Sequence, residues 1–455
     1  LAAPEKHAVV VVGAGLSGLH AAGLLDAAGV DVLVVEAQER IGGRIHSMRQ
    51  LGPQAEAGGT FIGAGYERVF AIAERAGIRL IDVTPLLEFF REQDLVLDGE
   101  IIRQSDWPDH PSNPFPNKDR AIMPWNYHRV LTAREMPFEA PGDWIDPAFS
   151  KYDIPVHAWM RSLGLTDEAI RIGYDMNPSF GRDANDVSTL LLFFRAAFSK
   201  AQRAKTSGGS IGFTVEHGVQ RLPEAMAAGL SRRVRTQHVV RAITSDATAA
   251  RIDCENGQAF AAETVVVAVP PGALNRIALE PPLPLAQSAA LASLPAQPVT
   301  QVYLRPKSPF WEADGYAPSL FTNTPCGMLA AVRDRDKPTD VTHLTAWVMG
   351  PEAARLDALS TADAARRVIE SIERLRPAAR GRLELLGMKS WGRDPYSFGA
   401  WAYFRPGQVG RCVRVLGNAH GRVHFCGEHL ALSGRGMEGA LETAESVVTQ
   451  LCADR

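Results

Sequence analysis

Three features of the sequence predict an α/β fold built as two interleaved domains. The first is a strand–turn–helix–strand pattern near the start. It consists of the apolar run Val9-Val10-Val11-Val12, the turn Gly13-Ala14-Gly15-Leu16-Ser17-Gly18, a helix-like stretch, and the run Val32-Leu33-Val34-Val35 closed by Glu36. The second is a later apolar run, Val265-Val266-Val267-Ala268-Val269, ended by Pro270-Pro271, which suits a strand buried on both faces. The third is the recurrence of ligand-facing segments at the start, middle and end of the chain. Together they imply a Rossmann-like dinucleotide-binding domain made of residues 1–86, 210–280 and 395–455. Residues 87–209 and 281–394 then form an interleaved α+β domain carrying a mixed sheet and helices.

In the opening unit each glycine has a task. Gly13 permits the tight turn, Gly15 lets a pyrophosphate approach the backbone, and Gly18 lets the helix pack on the strand. Phosphates would sit at the helix N-terminus, beside Leu16 and Ser17, where free N–H groups and the helix dipole favour anions. Glu36, followed by Ala37, is placed to accept hydrogen bonds from an adenosine ribose. The motif alone does not separate NAD from FAD. Just behind it, Glu39-Arg40-Ile41-Gly42-Gly43-Arg44 offers close backbone approach at Gly43 and a guanidinium for phosphate at Arg44. The glycine-dense run Ala57-Gly58-Gly59-Thr60-Phe61-Ile62-Gly63 suits backbone packed on a flat cofactor, with Gly59 and Thr60 at its centre.

Further on, the Pro- and Trp-rich stretches Trp107-Pro108-Asp109-His110-Pro111 and Pro114-Phe115-Pro116 read as loops of a kind that line binding sites. The Leu and Phe residues of the helix near 187–194 read as core. A second helix follows residues 217–223, a strand covers 239–243, and the alternating run Thr300-Gln301-Val302-Tyr303-Leu304 reads as another strand. Hydrophobic content of 46% and charged content of 22% are those of a soluble globular protein. A net charge of -3 gives no broad basic surface, so no nucleic-acid partner is expected. No apolar run approaches the roughly 18–20 residues of a transmembrane helix. The scattered cysteines Cys254, Cys326, Cys412, Cys426 and Cys452 read as buried or free thiols, not a metal site. The start Leu1-Ala2-Ala3-Pro4 suggests processing or trimming, so the expected location is cytoplasmic, or periplasmic after removal of an export signal.

Two late motifs complete the pattern. One runs from Trp391 through Gly399-Ala400-Trp401-Ala402-Tyr403-Phe404-Arg405-Pro406-Gly407. The other is Val423-His424-Phe425-Cys426-Gly427-Glu428-His429, followed by Gly436-Met437-Glu438-Gly439-Ala440. With the N-terminal segments, this ordered set resembles the flavin-dependent amine oxidases, the group that includes monoamine oxidase, polyamine oxidase and bacterial nicotine oxidoreductase. The resemblance covers nearly the whole chain and implies FAD as cofactor.

The resemblance also implies roles. Glu428, after Gly427, would bind the ribityl chain; the N–H groups near Met437 would face the flavin pyrimidine; Val240 would meet the adenine edge through its backbone; Trp391 would border the cofactor. Ala400 stands where some members carry a cysteine bonded to the flavin, so FAD is expected to be non-covalent. Trp401 occupies one wall of the family's aromatic cage, and Gly436 aligns with the other, usually aromatic, wall. Gln301 aligns with a lysine that many members hold near flavin N5. A neutral amide there would slow reoxidation by dioxygen, leaving dioxygen or a redox protein as electron acceptor. The implied reaction is hydride transfer from the amine α-carbon to flavin N5, giving an imine that is hydrolysed to an aldehyde or ketone. Desolvation of the amine is a sufficient activation, and His429 and His217 read as structural. The nearest rival is an L-amino-acid oxidase. Residues 59–63 lack the arginine that would grip a substrate carboxylate, which favours an amine without an α-carboxylate. A C–C desaturase is disfavoured by the Trp401 motif, and a non-catalytic flavin-binding interaction protein is the rival from another class. A homodimer is compatible with this reading.

Overall fold

A computed structural model of the chain describes residues 4–86, 92–206 and 209–453. Leu1, on which the processing expectation rests, and the expected domain boundary at 86/87 fall outside or at the edge of the described residues.

The first sheet is built around the strand Glu5–Val12. It pairs in parallel with Val32–Val35 on one side (Val9 opposite Val32) and with Ala259–Val267 on the other (Val12 opposite Val267). Val9, Val10 and Val11 are completely buried, as the continuous valine run requires. Val9 and Val11 pack under the helices Leu16–Ala27 and Gly436–Ala453, against Leu19, Ala444 and Val447. Val10 and Val12 face the opposite way, into a cluster with Leu33, Val265 and Val267. Each buried valine contributes about 1.5–3 kcal/mol. The nine-residue strand Ala259–Val267 changes partner along its length. Its first half pairs antiparallel with Ala250–Cys254, which in turn pairs with Val240–Ser245; its second half pairs in parallel with Val423–Phe425.

The second sheet is mixed. Its order is Leu383–Ser390, Val299–Pro306, Val341–Met349, Met328–Arg333, Ser319–Thr322, Gln93–Leu97 and Glu100–Ile102. All neighbours are antiparallel except Ser319–Thr322 with Gln93–Leu97, a parallel pair that ties an early segment to a late one. One face is covered by the helix Thr361–Leu375, whose Val368 and Ile372 pack on Val302 and Leu304. Ser360 caps this helix, its Oγ accepting from the Asp363 N–H at 3.1 Å. The other face lies on the first unit, with Val299, Tyr303 and Trp391 packed on Met48 and Ala57. The alternating run at 300–304 therefore does not have a solvated face: Thr300 and Gln301 are as buried as Val302.

The segment 92–206 otherwise forms a helical layer. Leu190–Phe194 of the helix Thr189–Ala204 are core, as expected, and Phe194 stacks on Trp144 with centroids 4.6 Å apart. The Pro- and Trp-rich stretch does not line a site. Trp107 is fully buried with Nε1 donating to the Ile122 carbonyl, and Phe115 stacks on Tyr127 at 3.7 Å. Here proline rigidity serves packing. Among the described residues no helix is long and apolar enough to cross a membrane. Cys254, Cys326, Cys412 and Cys426 are buried free thiols, and Cys452 is an exposed one.

Candidate functional site

A single long cavity of about 1120 Å³ runs between the two sheets. It exceeds the roughly 300–1,000 Å³ of sites for drug-sized ligands and has room for a large cofactor and a substrate. One end opens at the turn after the first strand. Gly13, Gly15, Leu16 and Ser17 line it. Gly13 has φ of +104°, and a Cβ there would sit 3.0 Å from the Ala268 carbonyl oxygen, so the turn needs glycine. Gly15 caps the helix Leu16–Ala27 with no side-chain hydrogen bond, and a Cβ on it would meet nothing within 4 Å. The helix start thus faces open space with its first N–H groups free, the cradle that a pyrophosphate fits. Gly18 is not on the cavity. A Cβ there would lie 2.0 Å from the Gly13 carbonyl oxygen, which fixes its role as close packing.

Glu36 and Ala37 line the same end, opposite Val240. The Glu36 carboxylate accepts from the Ala14 N–H at 2.7 Å and the Gln38 N–H at 2.9 Å. Burial raises its pKa, and these two bonds oppose the rise. They hold the carboxylate rigid at the cavity wall. Gly43, with φ of +58°, lies against Gly15, where a Cβ would come within 3.3 Å of the Gly15 Cα.

Midway along, Arg44 reaches across to the C-terminal segment. Its Nη1 donates to the Ala400 carbonyl at 3.0 Å and pairs with Glu428 Oε2 at 3.3 Å. Gly59, Thr60, Gly427 and Met437 also line this stretch. Trp391 is fixed by Nε1 donating to the Ala57 carbonyl at 2.9 Å. Trp401 borders the cavity with a buried Nε1 that has no partner among the described residues. Gly436, with φ of +55°, opens the helix Gly436–Ala453 beside it, and a Cβ there would again meet nothing within 4 Å. The open cradle at Gly15 and the orphaned Trp401 Nε1 fit an elongated flavin dinucleotide with a substrate beyond it.

Two expectations change. Gln301 does not reach the cavity. It is completely buried, its Nε2 donating to the Glu56 carbonyl at 3.3 Å, while Val299 on the same face of the strand lines the wall. His429, read as structural, does line the cavity, and burial pushes its pKa down to about 3, so it is neutral. His217 is away from the cavity and exposed. Cys426, beside Gly427, sits in the apolar core with its thiol pushed up to about 12 by burial.

The far end of the cavity was not read from the sequence. Tyr66, Phe180, Phe198, Phe321 and Trp347 form apolar walls, and Arg129, Arg195 and Arg435 reach into it. The one available signal was Arg195. It lies four residues after buried Leu191 and three before buried Phe198, so it shares the inward face of its helix.

Comparison with known proteins agrees with this geometry. The family model described as flavin containing amine oxidoreductase matches residues 16–452. The flavin-containing amine oxidase of Danio rerio is 26% identical over 464 residues, covering 99% of this chain and 86% of that protein. Amine oxidase B of Homo sapiens is 25% identical, covering 98% and 86%. Among solved structures, wild-type putrescine oxidase bound to putrescine superposes with a TM-score of 0.75 at 22% identity, covering 98% of this chain and 99% of that one. Cyclohexylamine oxidase from Brevibacterium oxydans gives 0.77 at 22% identity, covering 98% and 99%. A match over almost the entire chain, on a fold that brings the glycine turns, Glu428 and Trp401 to one cavity, establishes that this chain belongs to the flavin containing amine oxidoreductase family and oxidises an amine by flavin chemistry.

Proposed function

We propose that FAD lies along the cavity without a covalent link and that the amine is oxidised in the space bordered by Trp401. The observation that carries this reading is the continuity of one cavity from Gly15 and Glu36, past Glu428, to Trp401 and Gly436. Bound FAD would supply a hydride acceptor for the carbon bearing the amine, and water would hydrolyse the resulting imine to an aldehyde or ketone.

The chain's own groups have distinct tasks in this proposal. The helix start at Leu16 receives the phosphates, and Glu36 receives the ribose hydroxyls. Arg44 neutralises Glu428 and keeps its second oxygen available to the ribityl chain. The start of the helix Gly436–Ala453 directs N–H groups and its positive dipole end at the flavin ring, where charge develops on reduction. Apolar walls at Tyr66, Phe180, Phe198 and Phe321 exclude water and disfavour the ammonium form, leaving the amine neutral and able to give hydride. Burial pushes the His429 pKa down to about 3, which makes it a weak proton acceptor, and the reaction as proposed needs no protein base. Ala400 offers no thiol for attachment. Dioxygen or a redox protein would take the electrons, and the first sheet would belong to the cofactor domain and the second to the substrate domain.

Anaerobic mixing of the FAD-loaded protein with an amine panel tests the proposal. Bleaching of the flavin band with at least one amine, and release of free FAD on acid denaturation, are expected. A colourless protein that takes up no FAD, or pigment that stays with the denatured chain, would overturn it. Turnover with dioxygen alone against turnover with an artificial acceptor identifies the oxidant.

A further inference from the structure

Three arginines reach the substrate end of the cavity, and none makes a salt bridge among the described residues. Arg129 comes from the helix Pro124–Glu135, Arg195 from the helix Thr189–Ala204, and Arg435 from the turn before Gly436. Their contacts are with neutral groups. Arg129 Nη1 donates to the Trp125 carbonyl at 2.9 Å, and its buried Nε has no partner among the described residues. Arg195 Nη1 donates to Ser179 Oγ at 2.5 Å, a hydroxyl also held by His128 Nε2 at 2.8 Å. The Arg435 guanidinium stacks on Phe180 and Phe194, 4.8 and 5.1 Å from the ring centroids.

The acids that line the cavity are Glu36, Glu255 and Glu428. Glu36 is occupied by backbone N–H groups at the dinucleotide end, Glu255 lies with Val240 at that same end, and Glu428 is paired with Arg44 and acts on Arg435 only through space. None of the three arginines has an ion-pair partner among the described residues. Burial lowers the pKa of all three, that of Arg129 to about 10, and Arg195 is lowered further by Arg129 and Arg435. Clustered buried charges of one sign are costly unless a counter-charge joins them. Guanidinium groups are also the side chains best shaped to grip a carboxylate with two parallel hydrogen bonds. A second cationic group on the substrate, by contrast, would meet three guanidinium groups, and the one nearby acid, Glu428, is already paired with Arg44.

We propose that the amine oxidised by this chain carries a carboxylate, and that Arg129, Arg195 and Arg435 bind it. The proposal rests on the amine-oxidation reading and names its substrate class. The missing arginine at 59–63 removes one source of a clamp; here three other elements supply it. The same positive field disfavours the ammonium form of the bound amine, so recognition and activation act in the same direction.

The test uses FAD-loaded enzyme and matched probes. Phenylalanine is paired with 2-phenylethylamine, and 4-(aminomethyl)benzoate with 4-methylbenzylamine, so the two arms separate an α-carboxylate from a distal one. In anaerobic flavin reduction, at least one carboxylate probe is expected to have a half-saturating concentration tenfold or more below its neutral partner. Benzoate, which cannot turn over, is expected to perturb the flavin spectrum, with Kd raised tenfold or more in Arg195→Met and Arg129→Met, and in these variants each carboxylate probe is expected to lose more than its carboxylate-free partner. Arg195→Lys, which keeps charge without the planar fork, should fall between and serves if Arg195→Met does not fold. Equal use of both members of each pair, with no spectral response to benzoate, overturns the proposal while leaving amine oxidation intact. Equal loss of neutral and carboxylate probes in the variants also overturns it, since that marks a structural role. Arginine-dependent benzoate binding without bleaching by any amine supports the carboxylate site and removes the amine-oxidation reading instead.

Discussion

Gly15→Ala separates cofactor binding from folding. Gly15 has φ of -77° and ψ of 179°, which any residue adopts, and apart from its chain neighbours a methyl group there meets nothing within 4 Å. The substitution should therefore leave the apoprotein intact. It should even stabilise it by about 0.4–1 kcal/mol through the reduced freedom of the unfolded chain. The methyl fills the space through which the pyrophosphate approaches the helix N–H groups. Losing one charge-assisted hydrogen bond costs about 1.5–3 kcal/mol, or roughly ten- to a hundredfold in Kd for FAD. Gly18→Ala should do the reverse: its methyl would stand 2.0 Å from the Gly13 carbonyl oxygen, a backbone atom that cannot move aside cheaply. That overlap should cost about 1–3 kcal/mol or more in stability. Thermal melting of both apoproteins, with FAD titration followed by fluorescence quenching, measures the two effects. An apo Gly15→Ala protein that melts well below wild type, or that binds FAD with wild-type affinity, would refute the reasoning.

Arg44→Met leaves Glu428 and the Ala400 carbonyl without their shared donor, so FAD affinity should fall about ten- to a hundredfold; unchanged affinity in the same titration would count against that bridge. Trp401→Ala removes the aromatic border of the substrate space, and kcat/KM should drop on the order of tenfold or more with FAD retained. Steady-state rates on a reactive amine decide this, and a wild-type value would reduce Trp401 to packing. Burial, reinforced by Asp183, raises the Asp175 pKa to about 7 from an ordinary value of 3.8. The folded state then binds more protons than the unfolded one across that window, so this residue's contribution to stability falls as pH rises from about 4 to about 7. Asp175→Asn should flatten that slope and make the variant more stable than wild type at pH 8; parallel urea melts at pH 5 and pH 8 that shift equally would argue against it.

What was legible in the sequence followed from local constraints. The valine runs at 9–12 and 265–267 could be read because strands covered on both faces carry unbroken apolar residues. The dinucleotide end could be read because its turn, helix start and acid are contiguous in the chain. The strand at 300–304 could be read from its alternation, but the full burial of Thr300 and Gln301 could not, because their partners, Asp357 Oδ1 and the Glu56 carbonyl, come from distant parts of the chain. Gln301 also shows the limit of carrying a role by alignment: its side chain stops beneath the wall that Val299 and Trp347 form. The far end of the cavity was hidden because Arg129, Arg195 and Arg435 meet only through tertiary packing of three separate elements.

The pairing of Val423–Phe425 with Val265–Val267 has a consequence for biosynthesis. The sheet that contains Glu5–Val12 cannot be finished until Val423–Phe425, some four hundred residues later, has left the ribosome. Until then the nascent chain carries an incomplete strand edge, and Val9 and Val11 lack the terminal helix that seals them. Such distant closure is slow and exposes sticky intermediates. Early capture of FAD by the glycine turn could hold the half-built sheet together, and expression yield should then track flavin supply during synthesis.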